Sequence, residues 1–133
     1  MENGNTEPVS LGFIGFGTIA SAIARGLAST EDEAKSDKSV PSFSKINVSR
    51  RSETRSSAIK LEFPDLVSVY DDNQAIIDNS DFVFLCVLNN QTEEALQKLS
   101  FDSSRHTLVS LVVRTLILEL LYCFFLYFCF VVV

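Results

Sequence analysis

The residues best suited to chemistry stand close to the amino terminus. Gly15, Gly17 and Ala20 form G-x-G-x-x-A, with Phe16, Thr18 and Ile19 between them. A glycine at the first position permits a tight turn, and one at the second lets a ligand approach the backbone. The alanine is small enough for close packing of a helix on a strand, and Gly26 is assigned the same task further along. N–H groups at a helix start, backed by the helix dipole, attract phosphate. Directly after a strand, this pattern serves recognition of a dinucleotide diphosphate; the plainer alternative is a glycine-rich turn in an unrelated α/β protein. A second group, Ser49-Arg50-Arg51-Ser52, stands where an NAD binder usually carries Asp or Glu. Guanidinium and hydroxyl groups suit a ribose 2′-phosphate, so the expected coenzyme is NADP(H) rather than NAD(H). The competing view is that Arg50, Arg51 and Arg55 only solubilise an exposed face.

The elements that must position these groups follow from apolar periodicity. Val9 to Ile14 predicts a buried strand, and Ile19, Ala20, Ile23, Ala24 and Leu27 then recur at helical spacing. Residues 29–44 are polar and predict a loop, which explains why Ser49 lies farther from Gly17 than the usual spacing of about 20. A strand over Lys45–Ser49 precedes a helix over Glu53–Glu62, with Ser52 as its cap and Pro64 as its stop. Leu66–Tyr70 predicts a third strand, and Asp71 or Asp72 caps a short helix through Ile76 and Ile77. Phe82–Val87 is a continuous apolar strand, Thr92 caps a helix over Glu93–Leu99 supported by a Glu94–Lys98 pair, and Thr107–Val113 is a fifth strand. Strands alternating with helices require crossover connections. The expected fold is therefore α/β, a Rossmann-like doubly wound parallel sheet. Residues 1–8 are a polar leader, 9–113 a dinucleotide-binding domain and 114–133 an apolar tail.

Charge and composition narrow the function. The net charge is −6, which speaks against nucleic acid as a partner. Cys86, Cys123 and Cys129 sit in apolar runs without disulfide or metal spacing, and the start is polar and acidic. A reducing, cytoplasmic setting is expected. Of 11 Lys and Arg only Arg114, and of 17 acids only Glu119, follow Thr107. Residues 115–133 approach the length of a membrane span, yet their Phe, Tyr and Val favour β structure. Three accounts of this tail stand open: a membrane anchor, an out-of-frame or intron-derived extension, and packing within a partner. His106 has no partner of catalytic type in sequence and is expected at the surface or a strand edge. Asp71, Asp72, Asp78 and Asp81 form an acidic cluster of the kind that can hold a cation, and helix capping and solvated loops are the simpler account. Asn89 and Asn90 either meet the nicotinamide end of a coenzyme or make a turn.

Residues 12–27, GFIGFGTIASAIARGL, resemble the opening of the pyrroline-5-carboxylate reductases, whose pattern is close to G-F-I-G-x-G-x-M-A-x-A-I-x-x-G-L. Asp72-Asn73 followed by residues 80–87, SDFVFLCV, resembles that family's approach to its fourth strand. The resemblance spans about residues 10–112. It implies an NADPH-linked fold that reduces the imine of 1-pyrroline-5-carboxylate in the last step of proline synthesis. It further implies that Ser49 and Arg50 meet the adenosine phosphate, Asn73 the adenine ribose side, and Cys86, Val87 and Leu88 the nicotinamide. Thr18-Ile19 departs from the commoner Asn-Met, and residues 87–91, VLNNQ, lack the family's Lys and Pro. The family's helical carboxy-terminal domain, which forms its dimer and substrate pocket, has no counterpart after Val113. The chain is thus expected to be truncated relative to a full reductase. The alternative from a different class is a non-catalytic, tail-anchored nucleotide-binding module.

Overall fold

The computed structural model describes residues 7–31, 37, 42–112 and 130–132. Strand β1 (Val9–Ile14) is followed by helix α1 (Thr18–Ser29), β2 (Phe43–Ser49), α2 (Glu53–Glu62), β3 (Val67–Tyr70) and α3 (Asn73–Asp78). Then come β4 (Phe82–Leu85), a 3-10 turn (Asn89–Gln91), α4 (Thr92–Gln97), β5 (Thr107–Ser110) and β6 (Phe130–Val132). The sheet has six strands in the order β3-β2-β1-β4-β5-β6. Every pair is parallel. Chain direction across the sheet reverses between β1 and β4, the switch point at which ligands bind in open α/β folds.

Period-two alternation divides the core between the two faces of the sheet. Leu11 and Phe13 of β1 meet Ile46 and Val48 of β2 and the alanine stripe Ala20, Ala24 and Ala28 of α1. On the other face Ile14, Val83, Leu85 and Leu108 pack with Ile76 and Ile77 of α3 and Leu96 of α4. Phe13 stacks on Phe84 at 4.7 Å between ring centroids and meets Phe16 edge-on at 6.1 Å. Each fully buried side chain of this size contributes roughly 1.5–3 kcal/mol. The doubly wound arrangement is the one expected from sequence.

Several local expectations change. Ile19 counts as part of the apolar stripe but is 62% exposed, because it lies in the overhanging first turn of α1. Gly26 does not serve close packing on the sheet: among the described residues a Cβ there would meet no neighbouring element within 4 Å. Ser52 occupies the N-cap of α2 without capping it, and its hydroxyl accepts from Arg55 instead. Thr92 lies inside α4, its hydroxyl donating back to the Leu88 carbonyl. Asp72 does cap α3, accepting from the Gln74 N–H at 3.1 Å. The Glu94–Lys98 pair forms at 3.0 Å, is exposed, and is worth a few tenths of a kcal/mol at about that order. β4 ends at Leu85, two residues early, after which the Cys86 N–H makes a last bond to the Ile14 carbonyl. β5 likewise ends at Ser110.

In the tail, Phe130–Val132 pairs with Leu108–Ser110. Cys123, Cys129, Glu119 and most of residues 114–133 lie outside the described residues, as do residues 1–6 of the leader. Among the described residues no helix is long and apolar enough to cross a membrane.

Asp81 fastens the amino edge of the sheet. Its carboxylate accepts from the N–H and hydroxyl of Ser10 at 3.0 and 2.8 Å, and its backbone carbonyl accepts from the Thr107 N–H. His106 stands at the edge of β5, as one of its two expected places has it, but it is buried there at 6% exposure rather than at the surface. Its Nδ1 accepts the Asp102 N–H at 2.8 Å, so the neutral ring carries its proton on Nε2, which is buried. Burial holds its pKa below the usual value and the Arg105 guanidinium adds to this, with Asp102, the Ile77 backbone and Asp78 opposing. A proton added at Nδ1 would confront the Asp102 N–H. The neutral ring's contribution to stability is therefore complete above the unfolded pKa, about 6.5. It is lost as pH falls from there through the lower folded value. Thermal midpoints should fall more steeply from pH 7.5 to 5.5 in the wild type than in His106→Gln, and parallel pH profiles would contradict this.

Candidate functional site

The site begins with the way β1 leaves the sheet. Gly15 adopts φ +80°, and a Cβ there would lie 2.9 Å from the Cys86 carbonyl oxygen and 3.0 Å from a Val87 methyl. Only glycine meets both demands, the left-handed backbone and the contact. That contact places the β1–α1 turn directly against the end of β4. Phe16 turns its ring into the core and is 1% exposed. Gly17 is the N-cap of α1, in an extended conformation, and no side chain caps the helix. Its missing Cβ would point into open space. The first turn of α1 also has no acidic residue, so the positive end of the helix dipole is uncompensated. Thr18 opens the helix and Ala20 is buried against the sheet.

The carboxyl end of β2 supplies cations to the same edge. Ser49 is buried, and its hydroxyl lies 3.4 Å from the Arg51 N–H, a long contact. Arg50 pairs through Nε with Asp71 at 2.6 Å, whereas the Arg51 side chain is exposed with no partner among the described residues. Arg55 was absent from the residues assigned to phosphate by sequence, yet it reaches the turn. Its guanidinium donates to the Thr18 hydroxyl at 3.1 Å and to Ser52 at 3.3 Å. Both partners are neutral, so its charge is uncancelled beside the start of α1. The signal for it was the placement of Arg55 three residues after Ser52, on one helical face.

The remaining candidates share this edge to different degrees. Cys86 and Val87 touch the Gly15 turn, and Leu88 is 67% exposed beside them. Burial pushes the Cys86 thiol up to about 12, leaving it an un-ionised, unreactive group at neutral pH. Asn73 begins α3 at the end of β3, and its amide makes no hydrogen bond among the described residues. Asn89 and Asn90 form the 3-10 turn after β4. His106 stands at the opposite, amino edge and takes no part. An open cleft of about 340 Å³, lined by Ala28, Glu62, Phe63 and Leu66 among others, is at the amino edge too.

Gly12, unassigned to any packing role by sequence, lies beneath the site. A Cβ there would come within 2.5 Å of Ser80 Oγ and 2.8 Å of an Ile76 methyl. Ser80 cannot easily yield, because its hydroxyl donates to the Ile76 carbonyl at 2.6 Å and accepts from buried Asn47 at 3.0 Å. The three glycines should therefore part company on substitution by alanine. Gly12→Ala should cost roughly 1–3 kcal/mol from overpacking and Gly15→Ala roughly 2–4 kcal/mol once the φ penalty is added. Gly17→Ala should cost less than about 1 kcal/mol. Urea unfolding checks the order, and a Gly17 variant as unstable as a Gly15 variant would contradict it.

Comparison with known proteins places this geometry in a family. The family model described as NADP oxidoreductase, coenzyme F420-dependent, matches residues 10–114. Among solved structures, a 1-pyrroline-5-carboxylate reductase from the human pathogen Streptococcus pyogenes superposes with a TM-score of 0.62 at 25% identity, covering 86% of this chain. A conserved hypothetical protein from Sinorhizobium meliloti 1021 shares the fold, with a TM-score of 0.54 at 23% identity over 80% of this chain. The chain spans 38% and 33% of the lengths of those two proteins. No curated protein matches significantly. With its glycine turn, the switch point and strands β2 to β5 all inside the matched span, the chain belongs to the NADP oxidoreductase, coenzyme F420-dependent, family, as a Rossmann domain like that of the pyrroline-5-carboxylate reductases.

Proposed function

We propose that residues 9–113 form the coenzyme domain of an imine reductase that prefers NADP(H) to NAD(H). The observation that carries the proposal is the bare start of α1. Gly17 offers its helix no capping side chain, and the space a Cβ would occupy is open. Backbone donors arranged in this way suit a diphosphate. In this assignment Gly15 to Ala20 hold the diphosphate through the backbone. Arg51 and Arg55, with Arg50 and Ser49 behind them, face the 2′-phosphate. Asn73 lies on the adenine ribose side, and Cys86, Val87 and Leu88 line the nicotinamide end.

When bound, the coenzyme supplies a hydride. The likeness to the Streptococcus pyogenes enzyme supports 1-pyrroline-5-carboxylate as acceptor, in the final step of proline synthesis. The chain's own residues bind and orient. Exposed Leu88 and Ile19 would exclude water at the mouth. A second proposal, binding without turnover, is favoured by one observation: Cys86, Val87 and Leu88 offer no group that titrates near neutrality.

Titration calorimetry on the full chain with NADPH and NADH tests the site. Saturable binding, tighter for NADPH and weakened at least tenfold by Gly17→Val, is expected. Adding 1-pyrroline-5-carboxylate then separates the two proposals, since steady oxidation of NADPH supports the reductase and binding alone supports the module. Heat from neither coenzyme would overturn both.

A further inference from the structure

Parallel pairing sets Ser49 opposite Tyr70, so the next residues, Arg50 and Asp71, leave the sheet side by side. The Arg50 N–H donates to the Tyr70 carbonyl at 2.9 Å, which fixes the two backbones together. The ion pair at 2.6 Å follows from that placement, although both side chains remain largely in solvent. The end of β2 carries no acid of its own, and the neighbouring strand delivers one to it.

Resting on the coenzyme site proposed above, we infer that Asp71 is a specificity-determining residue that limits the preference for NADPH over NADH. A guanidinium paired with a carboxylate has no net charge. A doubly charged 2′-phosphate a few ångströms away is repelled by Asp71 about as strongly as it is drawn to Arg50. NADH carries an uncharged hydroxyl at that position and is nearly indifferent to the pair. Discrimination then falls to Arg51, which has no partner among the described residues, and to Arg55, whose partners Thr18 and Ser52 are neutral. Glu53, the acid at the start of α2, forms no ion pair with the three arginines among the described residues. Asp71 thus admits NADH to a site whose arginines alone would favour the phosphorylated coenzyme.

The test measures the dissociation constants of the full chain for NADPH and NADH in low salt. Asp71→Asn, an isosteric change at an exposed position, should raise the preference for NADPH roughly three- to tenfold, through NADPH affinity. Glu94→Gln removes one negative charge from the surface of α4 and should leave the preference unmoved. An unchanged preference in Asp71→Asn would overturn the assignment. So would a fall in NADPH affinity, which would make Asp71 a support for Arg50 rather than a competitor. Binding of neither coenzyme to the wild type would overturn the coenzyme site itself.

Discussion

A backbone carbonyl sets the tightest constraint in this molecule. Cys86 O, at the end of β4, occupies the space that any side chain at position 15 would need. The chain can leave β1, reverse and start α1 only if residue 15 lacks a Cβ and takes positive φ. With that contact made, the Cys86 N–H closes onto the Ile14 carbonyl, and the two strands at the switch point are locked in register. The start of α1 is then held over the crevice between β1 and β4.

The layers beneath serve the same placement. Alternation along β1 sends Phe13 to one core and Ile14 to the other, so both faces anchor the strand from which the turn departs. Gly12 lets α3 approach β1 closely, while Asn47 and Ser80 satisfy each other where that approach would otherwise strand polar groups. Asp81 fastens β1 to β4 and β5 at the far edge. The result is a rigid floor below an uncapped helix start, with Arg55 tied to it through Thr18. Arg51 and Arg55 thus stand at one edge of a chain whose net charge is −6.

Most of this order was legible in the residues because burial and turn chemistry are local. The helix Glu53–Glu62 matched its expected bounds, since Pro64 and the polar start admit little else. Strand ends were less legible: an apolar run such as residues 82–87 does not encode where its ladder partner stops. Cap residues identify a helix start but not which donor the hydroxyl will serve, as Ser52 and Thr92 show. The site itself divides in the same manner. Its glycines were recognisable from spacing, whereas the Arg50–Asp71 pair arises from strand register and the Arg55–Thr18 bond from the packing of two helices.

The phosphate-binding role of the bare helix start is the central claim, and backbone amide chemical shifts test it most directly. With NADPH added to the full isotopically labelled chain, the amides of Gly17, Thr18, Ile19 and Ala20 should shift furthest and saturate together. Shifts confined to the cleft beside Glu62 and Phe63 at the other edge, or amides of residues 17–20 that stay unmoved at saturation, would contradict it.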